Sequence, residues 1–277
     1  MARFRVFLLV VILMFPLAAA AQEGAIASWE DRVSRTTAQQ PTWAVPVITP
    51  PSGLTQLFRA DFMRLSMPIG TTTWNYGNSK GLNLIPWYRT ELDVAVPPYL
   101  QHNSTATDGF GDFALLLKYR IASGNEQHGS YSLSASIGGT IPTGSYKNGS
   151  PEAALIPAIY AGKGFRMFDV QSSLSATLPA ADAARLGRTV NWNVVGQYHI
   201  AKLFWPEIEN SSSFFHGGAN DGRRQNFIAP GIIVSKIKLG NASGNHKALI
   251  MGAADQIATT HFHLYKHALV FSTRMAF

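Results

Sequence analysis

Cysteine is absent from this 277-residue chain, which excludes a disulfide framework and thiolate chemistry. Charge is scarce: Asp, Glu, Lys and Arg make up 14% of the residues, against about 25% in soluble domains. The basic excess, formally +7, contains no dense Lys/Arg run or stripe, so it carries no nucleic-acid footprint. A basic lumen or contact with anionic lipid head groups would account for it. Past the N-terminus, no continuous apolar run reaches the ~20 residues of a spanning helix. Apolar and aromatic residues are plentiful: 46% of the chain is hydrophobic, with 16 Phe, 9 Tyr and 6 Trp.

The N-terminus reads "MARFRVFLLVVILMFPLAAAAQ". Arg3 and Arg5 form a basic region, Phe7 to Leu17 an apolar core, and Ala19-Ala20-Ala21 a small-residue cleavage site before Gln22. This is the pattern of a cleaved signal peptide over 1–21, and its apolar core is short for a retained anchor. Export without Arg3 and Arg5 would lower the formal charge to +5 and leave about 256 residues. Residues 22–41 are polar and do not alternate. They are expected to be a periplasmic leader, a short helix or a peptide that enters a lumen, ahead of a barrel over 42–277.

From residue 53 onward, segments of ~10–14 residues alternate apolar and polar side chains between clusters of Gly, Asn, Asp, Pro and Ser. In "SYSLSASIGGTI", for example, Tyr131, Leu133, Ala135 and Ile137 oppose Ser130, Ser132, Ser134 and Ser136. A soluble sandwich also alternates. Three features favour an all-β transmembrane antiparallel barrel. Aromatics such as Phe113, Tyr119, Tyr131, Phe168, Trp192 and Tyr198 lie on the apolar faces near strand ends, as interfacial girdles require. The polar faces are rich in Ser, Asn, Gln and Thr. Many strands also match the ~9–11 residues needed to span a bilayer at a tilt.

Eleven strands are expected near 54–66, 83–96, 110–121, 129–141, 153–163, 167–179, 189–200, 203–215, 225–237, 246–257 and 264–277. Bacterial barrels have even strand counts, so a twelfth is expected at Thr42 to Ile48, with 10 and 14 as alternatives. Tight connections at 164–166 and 201–202 fall on the side opposite the longer ones at 97–109, 142–152 and 180–188. The last strand, "HALVFSTRMAF", places Leu269, Phe271, Thr273, Met275 and Phe277 on one face. That terminus resembles the signature recognised by the outer-membrane assembly machinery, and Phe277 is expected at the periplasmic girdle.

Fragments "DGFGDFALLLKYRI" (108–121), "SASIGGTIPTGSYKNG" (134–149), "AGKGF" (161–165) and "NWNVVGQYHI" (191–200) resemble the outer-membrane transporter family of the meta-pathway of phenol degradation. The resemblance implies a barrel passing small molecules, aromatic ones among them. It supplies no catalytic or binding residues and no cofactor.

Inward-facing charges are the candidate lumen lining: Arg59, Asp61, Arg89, Glu91, Asp93, Asp112, Lys118 and Arg120. Charges removed from water need partners, so they should pair across strands, as lining or as a filter touching solute. His261, His263 and His267 in "THFHLYKH" could hold a metal, although no carboxylate adjoins His261 and His263. "FFHGGANDGRR" (214–224) reads as an outer loop rather than a calcium loop, and "PTGSYKNG" (142–149) lacks the helix of a phosphate loop. Ser211, Ser213 and His216, with Asn210 to orient the base, form the one candidate lipid-hydrolase constellation. The expected function is passage of small, hydrophobic or aromatic molecules through the outer membrane, selected by the inward charges and outer loops 97–109, 142–152 and 216–223. A lipid hydrolase and a secreted soluble sandwich are the alternatives. The expected partners are outer-membrane lipid, a small solute and the assembly machinery.

Overall fold

In the computed structural model, which describes residues 24, 26–201, 203–239 and 247–277, the strands form one closed antiparallel sheet. They are β1 (Leu57–Ser66), β2 (Thr72–Gly77 and Gly81–Trp87), β3 (Thr90–Ala95 and Tyr99–His102) and β4 (Gly109–Phe110 and Phe113–Gly124). Then follow β5 (Tyr131–Ile141), β6 (Ala154–Phe165), β7 (Phe168–Pro179), β8 (Arg188–Tyr198), β9 (Phe204–His216), β10 (Arg224–Lys238), β11 (Ala248–Ala258) and β12 (His267–Ala276). The two pieces of β2 are one wall strand, because β1 pairs with the first through Asp61–Ser66 and with the second through Leu57 and Phe58. The pieces of β3 and β4 continue each other in the same way. Pairing of β1 with β12, from Leu57–Ala276 to Ser66–His267, closes a barrel of twelve strands and removes every sheet edge.

The total is the expected one, but the twelfth strand is not Thr42 to Ile48. That stretch has no strand pairing and runs inside the barrel, and the wall begins at Leu57. The expected strand 83–96 is instead two strands, β2 and β3, joined by a tight turn at Tyr88-Arg89. Arg89 adopts φ 65° there, in a turn without Gly, Asn, Asp or Pro. β2 also contains a kink that reads as a loop in the sequence: Asn78 and Ser79 have φ of 47° and 49°, a bulge that shifts the register within the strand. In β3 the interruption is Pro97-Pro98, which lacks two ladder donors.

Alternation sorts the wall as the polar and apolar faces require. On β12, Ala268, Val270, Ser272 and Arg274 are buried inward, while Phe271, Thr273 and Met275 are exposed outward. Phe271, Phe62, Tyr76, Tyr99 and Phe110 are successive register partners across five strands on the outer face. Their rings stand 5.2 to 6.4 Å apart, within the range of aromatic pairing. One end of the barrel carries the two-residue turns 88–89 and 166–167, the connection 239–247 and both ends of the wall, and the other carries the connections 142–153, 180–187 and 217–223.

The interior is occupied. A helix over 26–38 lies at the short-turn end, and residues 39–56 form a strap across the lumen before the chain enters β1. On one side the strap meets an apolar sector of wall: Ala44 and Val47 pack with Met63, Trp205, Ala229, Ile233, Ile250, Ala254, Ala268 and Val270. This accounts for the two apolar faces of β10, one turned to lipid and the other to the strap. The fit is close, since a Cβ on Gly252 would stand 2.8 Å from Val47 Cγ2.

Because no native cysteine interferes, the pair Val47→Cys and Gly252→Cys should oxidise to a disulfide in the folded barrel. The cross-linked form should migrate faster on a non-reducing gel of denatured protein, and a strap lying elsewhere would leave both thiols free.

Candidate functional site

The inward polar side chains of the wall bind the strap through its main chain. Glu209 on β9 accepts hydrogen bonds from the backbone N–H groups of Ile48 at 2.7 Å and Thr49 at 2.5 Å. Glu207 accepts from Val47 N–H at 3.1 Å and from Gln197 Nε2 at 2.7 Å. From the other side, Arg274 Nη1 and Nη2 donate to the carbonyls of Val45 and Pro46. Arg59 donates to the carbonyls of Pro46 and Val47. A backbone taken out of water needs partners for every N–H and C=O, and charged partners are the strongest available.

The same arrangement continues along the strap. Gln171 on β7 accepts from both Ser52 N–H and Ser52 Oγ, while Ser132 and Ser134 on β5 donate to the Ser52 carbonyl. Lys118 on β4 bridges the Glu91 carboxylate, at 2.9 Å, and the carbonyls of Pro51 and Gly53. Glu91 in turn holds Thr55 through its N–H and hydroxyl. Arg120 caps the end of the helix over 26–38, donating to the Thr36 carbonyl at 2.6 Å and to Gln40 Oε1 at 2.9 Å. Gln40 closes a ring within the strap by bonding both the N–H and the C=O of Leu54. A Cβ on Gly162 would fall 2.5 Å from both Ser52 Oγ and the Trp43 ring, so only glycine leaves room there.

The sequence-derived candidates separate into three groups. Arg59, Asp61, Glu91, Lys118 and Arg120 are buried inside the barrel. Arg59 and Asp61 pair at 2.7 Å, with Ser272 donating to the same carboxylate. Asp93 is half-buried on the same wall and accepts from Asn83 Nδ2. Arg89, by contrast, is exposed in the turn after β2, where it borders a small pocket with Gln39 and Arg120 at the short-turn end. Asp112 lies between the pieces of β4 and fastens the 142–153 loop by accepting from Gly144 N–H at 2.9 Å and Ser150 N–H at 2.6 Å. The expected cross-strand pairing holds for Lys118 with Glu91. Most other bonds run from wall to strap.

Sequence reasoning missed Gln171, Glu207, Glu209 and Arg274. Their signal was present in the alternation: Glu207 and Glu209 flank Ile208, and Arg274 opposes Phe271 and Met275. The proposed hydrolase set is not assembled. Ser211 and Ser213 face the lumen, where Ser213 donates to Asn191 at 2.8 Å, whereas Asn210 and His216 lie on the outer face. Of the three histidines, His263 bonds the Thr260 carbonyl, and His267 stands 3.4 Å from Asp255 on the outer face. Among the described residues no group of His, Asp or Glu is placed to hold a metal ion.

The strap is also tied at the short-turn end. Glu126 accepts from Thr42 N–H and Oγ1, each at 2.8 Å. Partial burial pushes this carboxyl upward, but hydrogen bonds from the Thr42 and Glu126 backbones and the Thr42 hydroxyl outweigh it and hold it below its ordinary value.

The family described as "Putative MetA-pathway of phenol degradation" matches residues 53–229. Among solved structures, the chain is similar to an outer membrane channel from Pseudomonas putida F1 at 15% identity and a TM-score of 0.54. The match covers 87% of this chain and 98% of that one. No curated protein matches.

Lys118→Met should leave Glu91 as a buried, poorly compensated charge and lower the stability of the refolded barrel by about 3 kcal/mol. The double variant Glu91→Gln/Lys118→Met should recover part of that loss in denaturant unfolding. A depressed carboxyl stabilises fully above its ordinary value and loses that contribution as pH falls through its folded-state pKa. Protease cleavage of the strap near Thr42 should therefore rise on acidification. Glu126→Gln should show raised cleavage already at neutral pH and a smaller acid response.

Proposed function

The chain belongs to the MetA-pathway of phenol degradation family, and from that premise we propose that it is an outer-membrane channel for small molecules, held shut at its periplasmic half by its own N-terminal strap. One observation carries the reading: the strap crosses the lumen but belongs to no strand, and every described bond that holds it is noncovalent. Such a segment can leave without breaking the sheet. The short-turn end is assigned to the periplasm and the longer loops to the outside, as is usual in bacterial barrels.

The solute class follows from the lumen's two sectors. Wall residues Met63, Val270, Ala268, Ala254 and Ala229 give an apolar track, bordered by the serine, asparagine and glutamine side chains of β7 to β9. A molecule with an aromatic or aliphatic body and few polar groups can slide on the first while its polar groups exchange bonds along the second. The similar structure is an outer membrane channel, which supports small-molecule passage, and the family's link to phenol degradation supports aromatic molecules among the solutes. In this reading the charges at the strap act as its fastening, and the route for solute opens when they exchange the strap for water.

Planar-bilayer recording of the Val47→Cys/Gly252→Cys protein tests the proposal. The oxidised protein should be silent, and reduction should restore the wild-type conductance. Conductance unchanged by the cross-link would mean that solute does not pass where the strap lies. No conductance in any form, with unchanged uptake of aromatic solutes by a deletion strain, would remove the channel reading.

A further inference from the structure

On the outer face at the long-loop end, β8 to β10 carry a group of cations that the lumen does not use. Arg188 is the first residue of β8 and His216 the last of β9, and the two are direct register partners. Arg224 opens β10 opposite Phe214, two residues from His216 on the same face. All three side chains are exposed and point away from the lumen, since their neighbours Thr189, Phe215 and Gln225 occupy the inward positions. None of Arg188, Arg223 and Arg224 has an ion-pair partner among the described residues. The nearby carboxylates are engaged, Asp182 with Arg185 and Asp221 with Gly217 N–H. Arg223 lies over the Phe262 ring at 4.8 Å and adds to the positive rim.

What lies beneath this group sets its surroundings. Trp192, Phe214 and Ile228 are exposed on the same outer face within four residues of the cations. A cationic row directly above aromatic and aliphatic residues is the arrangement expected where acyl chains give way to head groups. Further round the wall, His267 on β12 faces Asp255 on β11, and Arg64 on β1 lies over Trp74.

We infer that Arg188, His216 and Arg224 form a docking site for a phosphate-bearing lipid of the outer leaflet. Two guanidiniums separated by one strand can each present paired N–H donors to phosphate oxygens, with the imidazole N–H between them. The acyl chains would lie along Trp192, Phe214 and Ile228. The assignment rests on the outward orientation of the long loops proposed above, but it does not need the barrel to conduct.

The test uses the full mature protein in detergent, with native mass spectrometry reading retained lipid. The probes are diphosphorylated lipid A, the same lipid with its phosphates removed, phosphatidylglycerol, and inorganic phosphate. Wild type should retain the diphosphorylated form, and Arg188→Gln/His216→Gln/Arg224→Gln should retain it about tenfold less while remaining heat-modifiable on gels. Arg64→Gln, on β1 three strands further round the wall from Arg224, should behave as wild type. Equal retention by the triple variant, or equal retention of the dephosphorylated lipid, would overturn the site. Competition by inorganic phosphate at the same concentration as the lipid would mean a simple anion site, and would overturn the lipid assignment. Because retention is read without conductance, a silent channel that binds lipid and an active channel that does not are told apart.

Discussion

A peptide backbone threaded through a barrel must find a partner for each donor and acceptor it takes out of water. Here the wall supplies those partners as ionisable and amide side chains. Carboxylates at 207 and 209 take the strap's N–H groups, while guanidiniums at 59 and 274 take its carbonyls. Neither set would be tolerable alone, because buried unpaired charge costs several kcal/mol. The strap and the inward charges therefore depend on one another. The glycines at 162 and 252, the serines at 132 and 134, and the glutamine at 171 are the remaining complement to the strap's shape and polarity.

Recognition through backbone atoms explains why the wall can be read from the sequence more readily than its occupant. Alternation marks each strand because every second side chain meets a different medium, and this holds from Tyr131 to Ile141 as it does from His267 to Ala276. Arg59, Glu91, Lys118 and Arg120 are recognisably inward for the same reason. What they bind is not visible in the sequence, since a carbonyl of Pro46 or an N–H of Ile48 carries no residue signature. "TWAVPVI" has the composition of a strand and meets an apolar wall sector through Ala44 and Val47, so its pattern is that of a buried segment even though it pairs with no strand. The turn at Tyr88-Arg89 escaped for a local reason: a left-handed arginine occupies a position where glycine or asparagine would ordinarily announce a turn.

The two sectors of the lumen divide the work between holding and passing. An apolar sector alone would seal the strap by packing yet leave its backbone unsatisfied. A charged sector alone would fill with water and bind the strap weakly. Interleaved along β9, β12 and β1, they give a closure that is specific in register but built entirely from contacts that water can replace.

The aromatic row on the outer surface crosses the junction where the first and last strands meet. Phe62 and Phe271 face each other there at 6.4 Å, and every residue of β1 has its β12 partner about 200 positions away in the chain. Every other neighbouring pair of strands is nearby in sequence and can zip as a hairpin, whereas this seam is the strand pairing that joins the most distant parts of the chain. Joining it costs the most loop entropy and is the slowest element to nucleate. Rings paired across the seam act only once the two strands are side by side, so they retard unzipping more than they hasten closure.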